Sequence, residues 1–298
     1  LIEQVRKQAP DILGMGTRSY MDKHAQHLLH RIKNECDVPL MVAGGFGPTF
    51  NPKAYLETCD FVVLGEGEEV MLHLVDNFDA GDREAMKDFD NLAYMEDGEL
   101  VVHKPRHLST PLDDLPNQKV GGEGLAYIEN SQLTEKDPLL NEPQYLALGG
   151  RGCVGKCSYC SSGNLIKLYE YNVKKRRNRD YVKLVDELEQ AKDMGFKCIW
   201  FLDEYFVLST DNTFDFIKLY KERVNLPLRL ILHPLQIVRI PELLDAYVDA
   251  GLTGTTIGVQ SGSPNFARDY YNRTSDEELT MQFAALLQDR GVQKSYHF

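Results

Sequence analysis

Gly152-Cys153-Val154-Gly155-Lys156-Cys157-Ser158-Tyr159-Cys160 follows closely on the apolar run Tyr145-Leu146-Ala147-Leu148. The apolar run reads as a buried strand, so the cysteines stand in the loop at a strand's end. The CxxxCxxC spacing puts three thiols on one short loop. Three thiolates can hold three irons of a 4Fe–4S cube, and no fourth cysteine follows at a ferredoxin spacing. One iron would then lack a protein ligand. An open iron is a place for a substrate, which points to chemistry rather than simple electron storage. Zinc would want a fourth Cys or His nearby. The nearest in sequence, His107 and Cys198, are distant along the chain, and a non-catalytic iron–sulfur or zinc protein is the rival reading of this loop.

Downstream of the loop, strand and helix patterns alternate. Asp180 is placed to cap a helix over 181–194, which Gly195 ends. Further strands are expected at 198–202, 228–232, 255–259 and 293–298, with helices at 212–223, 241–250 and 276–290 between them. Five strands and four helices in alternation predict a curved partial (β/α) barrel. In such barrels the active-site groups sit at the C-terminal strand ends. Those ends carry the three cysteines, then Asp203 and Glu204, then His233, then Gly258, Gln260, Ser261 and Gly262. Cys198 and Trp200 lie inside a strand pattern, Cys198 as a core residue and Trp200 as core or barrel lining.

Upstream, 11–15, 39–43 and 61–64 read as buried strands. Helices are expected at 20–35, from Asn51 or Pro52, and at 69–78. This alternation predicts a parallel, doubly wound sheet, in which ligands bind beyond the carboxyl ends of the strands. Thr17, Gly44, Gly45, Gly65 and Gly67 occupy those ends. His24, His27 and His30 lie on the first long helix and read as a solvated polar face. Between the two halves, 79–143 is polar and Pro-rich, with an Asp97-Gly98 turn that predicts a β-hairpin. A connection of this length should pack on something, and a strap joining the domains is expected.

The cysteine loop, with aromatic Tyr159 before the third cysteine, resembles that of the radical S-adenosylmethionine (SAM) enzymes. The resemblance implies that Cys153, Cys157 and Cys160 ligate a 4Fe–4S cluster whose open iron is chelated by SAM. An electron from the cluster would then release a 5′-deoxyadenosyl radical. It also implies SAM contacts from Tyr159, Asp203, Glu204, His233, Gly258, Gln260 and Ser261. Gln260 stands where relatives often carry Glu, which loses a charge and keeps hydrogen bonding.

The runs 10–15, 42–49 and 60–68 resemble the cobalamin-binding domain that precedes the radical SAM domain in one large subgroup. That implies cobalamin-tail contacts from Thr17, Gly44, Gly45, Gly65 and Gly67. The Asp-Gly hairpin and Leu112-Asp113-Asp114-Leu115-Pro116 resemble the linker of the same subgroup. The fold expected is therefore α/β. A partial, doubly wound Rossmann-like cobalamin-binding domain (1–78) is followed by a linker strap (79–143) and a partial (β/α)6 radical SAM barrel (144–298).

The resemblance implies an enzyme, with methyl transfer to an unactivated carbon as the first expectation. Oxidative cyclisation or rearrangement is the second. A methylthio-transferase fits less well, because Cys36 and Cys59 do not supply a second cluster. The substrate expected is a small molecule of natural-product or lipid type, and the electron donor a flavodoxin or ferredoxin. Lys174-Lys175-Arg176-Arg177-Asn178-Arg179 is a basic run that reads as a solvated face or as a docking site for such a donor.

The 298 residues suffice for two domains, and a net charge of −12 makes a nucleic-acid backbone an unexpected partner. No apolar run reaches the roughly 20 residues that span a bilayer. Six sparse cysteines suit a reducing cytoplasm better than a disulfide framework. The start at Leu1 within a helix pattern, and the stop at Phe298 within a strand pattern, are expected of a fragment cut at both ends.

Overall fold

The computed structural model describes residues 1–107, 110–169, 176–206, 208, 210–273 and 277–298. Two compact units are present: 1–110 with 165–173, and 111–164 with 174–298.

In the first unit, α1 (Ile2–Gln8), β1 (Ile12–Gly16), α2 (Asp22–Glu35), β2 (Leu40–Gly44), α3 (Phe46–Phe50), α4 (Pro52–Tyr55), β3 (Phe61–Val63) and α5 (Glu68–Asp79) follow in order. Strands β1, β2 and β3 are parallel neighbours. The sheet is covered on both faces, as a parallel sheet must be. Leu29 and Ile32 of α2 pack on Met41, Ala43 and Val62, while Val70 and Leu74 of α5 pack on Leu40, Val42 and Phe61. Helix α2 buries this stripe and leaves His24, His27 and His30 exposed.

The expected hairpin forms as β4 (Leu92–Glu96) and β5 (Glu99–Val102), turned at Asp97-Gly98 with positive φ at both. β4 pairs antiparallel with β3, which makes the sheet five-stranded in the order β1-β2-β3-β4-β5. The reason is burial: Leu92, Ala93 and Tyr94 are apolar side chains that the sheet's two cores take up.

The second unit contains a small hairpin, β6 (Tyr127–Glu129) with β7 (Gln132–Thr134), then β8 (Gln144–Ala147), β9 (Gly150–Gly152) and α6 (Ser161–Leu168), which passes at Leu165 into residues of the first unit. It continues with β10 (Arg176–Asn178), α7 (Tyr181–Asp193), β11 (Cys198–Phe201), α8 (Thr210–Arg223), β12 (Leu228–Leu230), α9 (Pro234–Arg239), α10 (Pro241–Asp249), β13 (Leu252–Gly258), α11 (Pro264–Asp269), α12 (Glu277–Asp289) and β14 (Gln293–His297). The order β14-β13-β12-β11-β8 is parallel throughout. Asp180 caps α7 as the sequence predicts, its carboxylate accepting from the Val182 and Lys183 N–H groups.

Tyr145, Ala147, Ile199, Phe201, Leu228 and Leu230 turn to the helices and form one core with Leu184, Leu188, Phe216, Tyr220 and Leu244. Side chains alternate along a strand, so Leu146, Trp200 and Arg229 turn to the opposite, inner face. Cys198 shares that face and is half-buried, whereas the sequence places it in the core. In β13 the register slips by one: Leu228 pairs with Leu252, but Arg229 pairs with Gly254. Thr253 is the extra residue of this β-bulge, and its hydroxyl donates to the Leu228 carbonyl.

Candidate functional site

Cys153, Cys157 and Cys160 are half-buried free thiols just beyond the end of β8. Gly155 lies between two of them. A Cβ placed there would stand 3.4 Å from the Cys153 sulfur and 3.8 Å from that of Cys157. The Gly155 N–H donates to the Cys153 sulfur at 3.3 Å. Burial pushes the Cys153 thiol up. Among the described residues no group of three or more His, Cys, Asp and Glu converges on a single metal ion. A 4Fe–4S cube takes one thiolate per iron, so three half-buried thiols spread along one loop fit the cube.

The segment after α11 braces this loop. The Ser158 N–H donates to the Tyr271 carbonyl at 3.0 Å, and the Ser158 hydroxyl to the Tyr270 carbonyl at 2.6 Å. Asn272 Nδ2 donates to the Lys156 carbonyl at 2.9 Å. Tyr159, expected as a SAM contact, meets Tyr271 edge-on, with ring centroids 4.8 Å apart. Arg273 then reaches across three strand ends. Its Nη1 lies 3.8 Å from the Cys157 sulfur, and its Nη2 donates to the Tyr205 hydroxyl at 3.1 Å and to the Gly258 carbonyl at 2.7 Å.

The acidic pair after β11 divides its work. Asp203 is buried, and its carboxylate accepts from the Gly149 N–H at 2.8 Å and from Arg176 Nη2 at 2.6 Å. Burial pushes its carboxyl up, while those two donors pull the other way. Asp203 therefore anchors the approach to the cysteine loop instead of presenting a free carboxylate. Glu204 accepts from the Ser162 hydroxyl, just past Cys160. His233 packs its ring 4.8 Å from that of Tyr205, and burial, with Arg273 nearby, holds it below its ordinary pKa. It is therefore a neutral imidazole at pH 7.

Gln260 adopts φ 66°, a left-handed conformation that is uncommon outside glycine. Both its N–H and that of Val259 donate to the His297 carbonyl at 2.9 Å. A Cβ on Gly258 would stand 3.1 Å from Gln260 Nε2, so the amide folds back over the strand end. Ser261 Oγ accepts from the Ser263 N–H at 3.1 Å, a local turn just before α11. The structure thus gathers Glu204, His233 and Gly258 at the inner rim, while Ser261 serves the loop beyond it.

Within the basic run, Lys174 and Lys175 lie outside the described residues. The remainder is not a solvated face. Arg176 to Asn178 form β10, antiparallel to β9, and the Arg176 side chain is 8% exposed against Asp203. Arg179 Nη1 meets Glu187 at 2.5 Å, and Glu187 also accepts from the Tyr145 hydroxyl at 2.7 Å. Buried carboxylates draw these arginines inward because an unpaired buried charge is costly.

In the first unit, a cavity of about 660 Å³ opens beyond β1 and β2, lined by Thr17, Arg18, Tyr20, His24, Gly45 and Phe46 among others. Thr17 and Gly45 thus meet at one cavity, and Gly44 adjoins it through its carbonyl, which accepts from the Thr17 N–H at 2.9 Å. Gly65 does not line it. With φ 78°, Gly65 sits so close under Tyr169 that a Cβ would stand 2.0 Å from the phenol oxygen. The Tyr169 hydroxyl also accepts from the Glu66 N–H at 3.2 Å. Gly67 precedes α5 and is packed on Val63.

Three thiols at a strand end, ringed by the ends of its parallel neighbours, define a cluster-binding α/β barrel. Residues 148–298 match the Radical SAM superfamily, and 21–102 match the family described as Radical SAM proteins, N-terminal. The chain belongs to the radical SAM superfamily, whose cofactors are a 4Fe–4S cluster and SAM.

An uncharacterized methyltransferase of Pyrococcus horikoshii is 29% identical over 217 residues, 71% of this chain and 43% of that protein. The anaerobic magnesium-protoporphyrin IX monomethyl ester cyclase of Rubrivivax gelatinosus is 26% identical over 97% of this chain and 51% of its own length. The chain thus spans about half the length of the curated relatives it matches. Among solved structures, the radical SAM methyltransferase TsrM of Kitasatospora setae superposes with a TM-score of 0.75 at 18% identity, over 99% of this chain and 58% of that one. The cobalamin-dependent radical SAM enzyme OxsB with aqua-cobalamin bound does so at 0.73 and 17%, over 99% and 42%. These likenesses establish the fold.

Proposed function

We propose that this chain is the cofactor-binding part of a cobalamin-dependent radical SAM methyltransferase acting on an unactivated carbon. Cys153, Cys157 and Cys160 would hold the cluster, and the cavity at Thr17 and Gly45 would take part of cobalamin. When bound, the cluster and SAM supply a hydrogen-abstracting radical, and cobalamin supplies the methyl group.

The observation that carries the reading is the braced loop. Its three half-buried thiols are fixed by residues 270–273 and by Asp203 through Gly149. A rigid loop holds the ligands in place before the cofactor arrives. The neutral His233 imidazole can accept a hydrogen bond from SAM or substrate without placing a second cation beside Arg273. Glu204 would accept from an ammonium group at the rim. Six free thiols favour a reducing, cytoplasmic setting, with a flavodoxin or ferredoxin as donor.

Anaerobic reconstitution followed by incubation with SAM and dithionite tests the first step. About four irons per chain and release of 5′-deoxyadenosine are expected. One zinc and no iron would overturn the proposal. Retention of aqua-cobalamin on gel filtration, lost in Gly45→Trp, tests the second cofactor. A cyclase-type oxidation is the competing reading, favoured by the match to the Rubrivivax cyclase over 97% of the chain.

A further inference from the structure

One register row crosses the inner face of the second sheet. Leu146 pairs with Trp200, Trp200 with Arg229, Arg229 with Gly254, and Gly254 with Gln293. Two residues further along each strand stand Leu148, Leu202, Ile231, Thr256 and Ser295 on the same face. Two further again, the rim carries Glu204, His233, Gly258 and His297. The Arg229 row is therefore about 13 Å below the rim, at about 3.3 Å per residue.

The surface between them is apolar or small. Leu202 and Ile231 face it, and the hydroxyls of Thr256 and Ser295 bond each other at 2.9 Å. Arg229 is the exception. Its guanidinium carbon lies 5.1 Å from the centre of the Trp200 ring. Gly254 gives it room, since a Cβ there would stand 3.3 Å from Nε and 3.5 Å from Nη2. Among the described residues no carboxylate pairs with Arg229 and no acceptor takes its N–H groups. The other inward-drawn arginines, 176, 179 and 273, each have such partners.

A half-buried arginine whose guanidinium lies over an indole, with its N–H groups uncommitted, is a receptor for a planar anion. The neighbours decide what carries that anion: an apolar body, because Leu146, Leu202 and Ile231 offer it no polar partners. We propose that Arg229 and Trp200 bind a carboxylate on an apolar substrate whose other end reaches the cysteine rim. This rests on the proposed function only in taking the inner face as the substrate's side.

Trp200 is the chain's one tryptophan, so its fluorescence reports the site directly. Benzoate and its neutral analogue benzamide are the probes, titrated without SAM or reductant. A saturable change at millimolar benzoate, with benzamide at least about tenfold weaker, is expected for a charge-assisted contact. Arg229→Gln should bring benzoate to the benzamide level, and Arg229→Lys should keep part of the preference. Equal binding of the two probes, or unchanged benzoate binding in folded Arg229→Gln, would overturn the proposal. If Arg229→Gln does not fold, the wild-type preference and its reduction in Arg229→Lys decide. Because no cluster chemistry enters, failure here leaves the radical SAM reading standing. Failure of SAM cleavage leaves the anion site standing in turn.

Discussion

Arg273 Nη1 lies 3.8 Å from the sulfur of Cys157, although 116 residues separate the two in sequence. The same guanidinium holds the Gly258 carbonyl, so one side chain fixes the cysteine loop to the end of β13. A donor at a cluster-bound sulfur stabilises the reduced, more negative cluster. Arg273→Ala is therefore expected to shift the cluster's midpoint potential to more negative values. Activity or iron affinity should fall by about 10- to 100-fold. Spectroelectrochemistry with iron and sulfide analysis checks both, and an unshifted potential would remove Arg273 from this role.

Asp203 and Arg176 form a buried pair at 2.6 Å. Asp203→Ala takes away the carboxylate and leaves the cation and the Gly149 N–H without it. The expected cost is about 3 kcal/mol or more, seen as a lower midpoint in urea unfolding. A loss under about 1 kcal/mol, the range of an exposed pair, would contradict the structure.

Gly65 and Tyr169 test the packing of the first unit. Gly65→Ala pushes a methyl against the phenol oxygen at a φ of 78°, so a loss of about 1–3 kcal/mol is expected. Tyr169→Phe removes the nearest clashing atom. In the double mutant the losses should fall short of additive by at least about 0.5 kcal/mol. Strict additivity would mean that backbone strain alone sets the cost.

His233 gives a pH dependence with a defined sign. Burial lowers its folded-state pKa below the ordinary 6.5, so the unfolded chain takes up its proton first as pH falls. Its contribution is fully present above pH 6.5 and is lost as pH falls through the lowered folded value. His233→Gln should flatten this limb of melting temperature against pH. An unchanged slope would assign the acid limb to other groups.

Much of this arrangement can be read from sequence because its signals are local. Three cysteines within eight residues, strand ends marked by apolar runs, and the Asp180 cap all lie inside short windows. The brace does not. Tyr270, Tyr271, Asn272 and Arg273 form no motif, and only the fold carries them to the cysteine loop. The basic run 174–179 misleads for a related reason: charge density signals solvent, yet Asp203 and Glu187, distant or on another element, draw Arg176 and Arg179 inside. The hairpin's turn is legible in Asp97-Gly98, but its partner β3 is not, since pairing depends on which sheet edge is open.

The extra residue Thr253 has a reach beyond its own turn. It divides β13 into two stretches of opposite phase. Leu252 keeps its place in the helix-facing core, while Gly254, Thr256 and Gly258 turn to the inner face. Were β13 to alternate strictly from Leu252 with no bulge, Thr253 would stand beside Arg229 and Ile257, instead of Gly258, would face the rim. A single inserted residue thus acts as a half-step in the chain's reading frame in space. Core and reaction chamber are each written in the phase that suits them along one continuous strand.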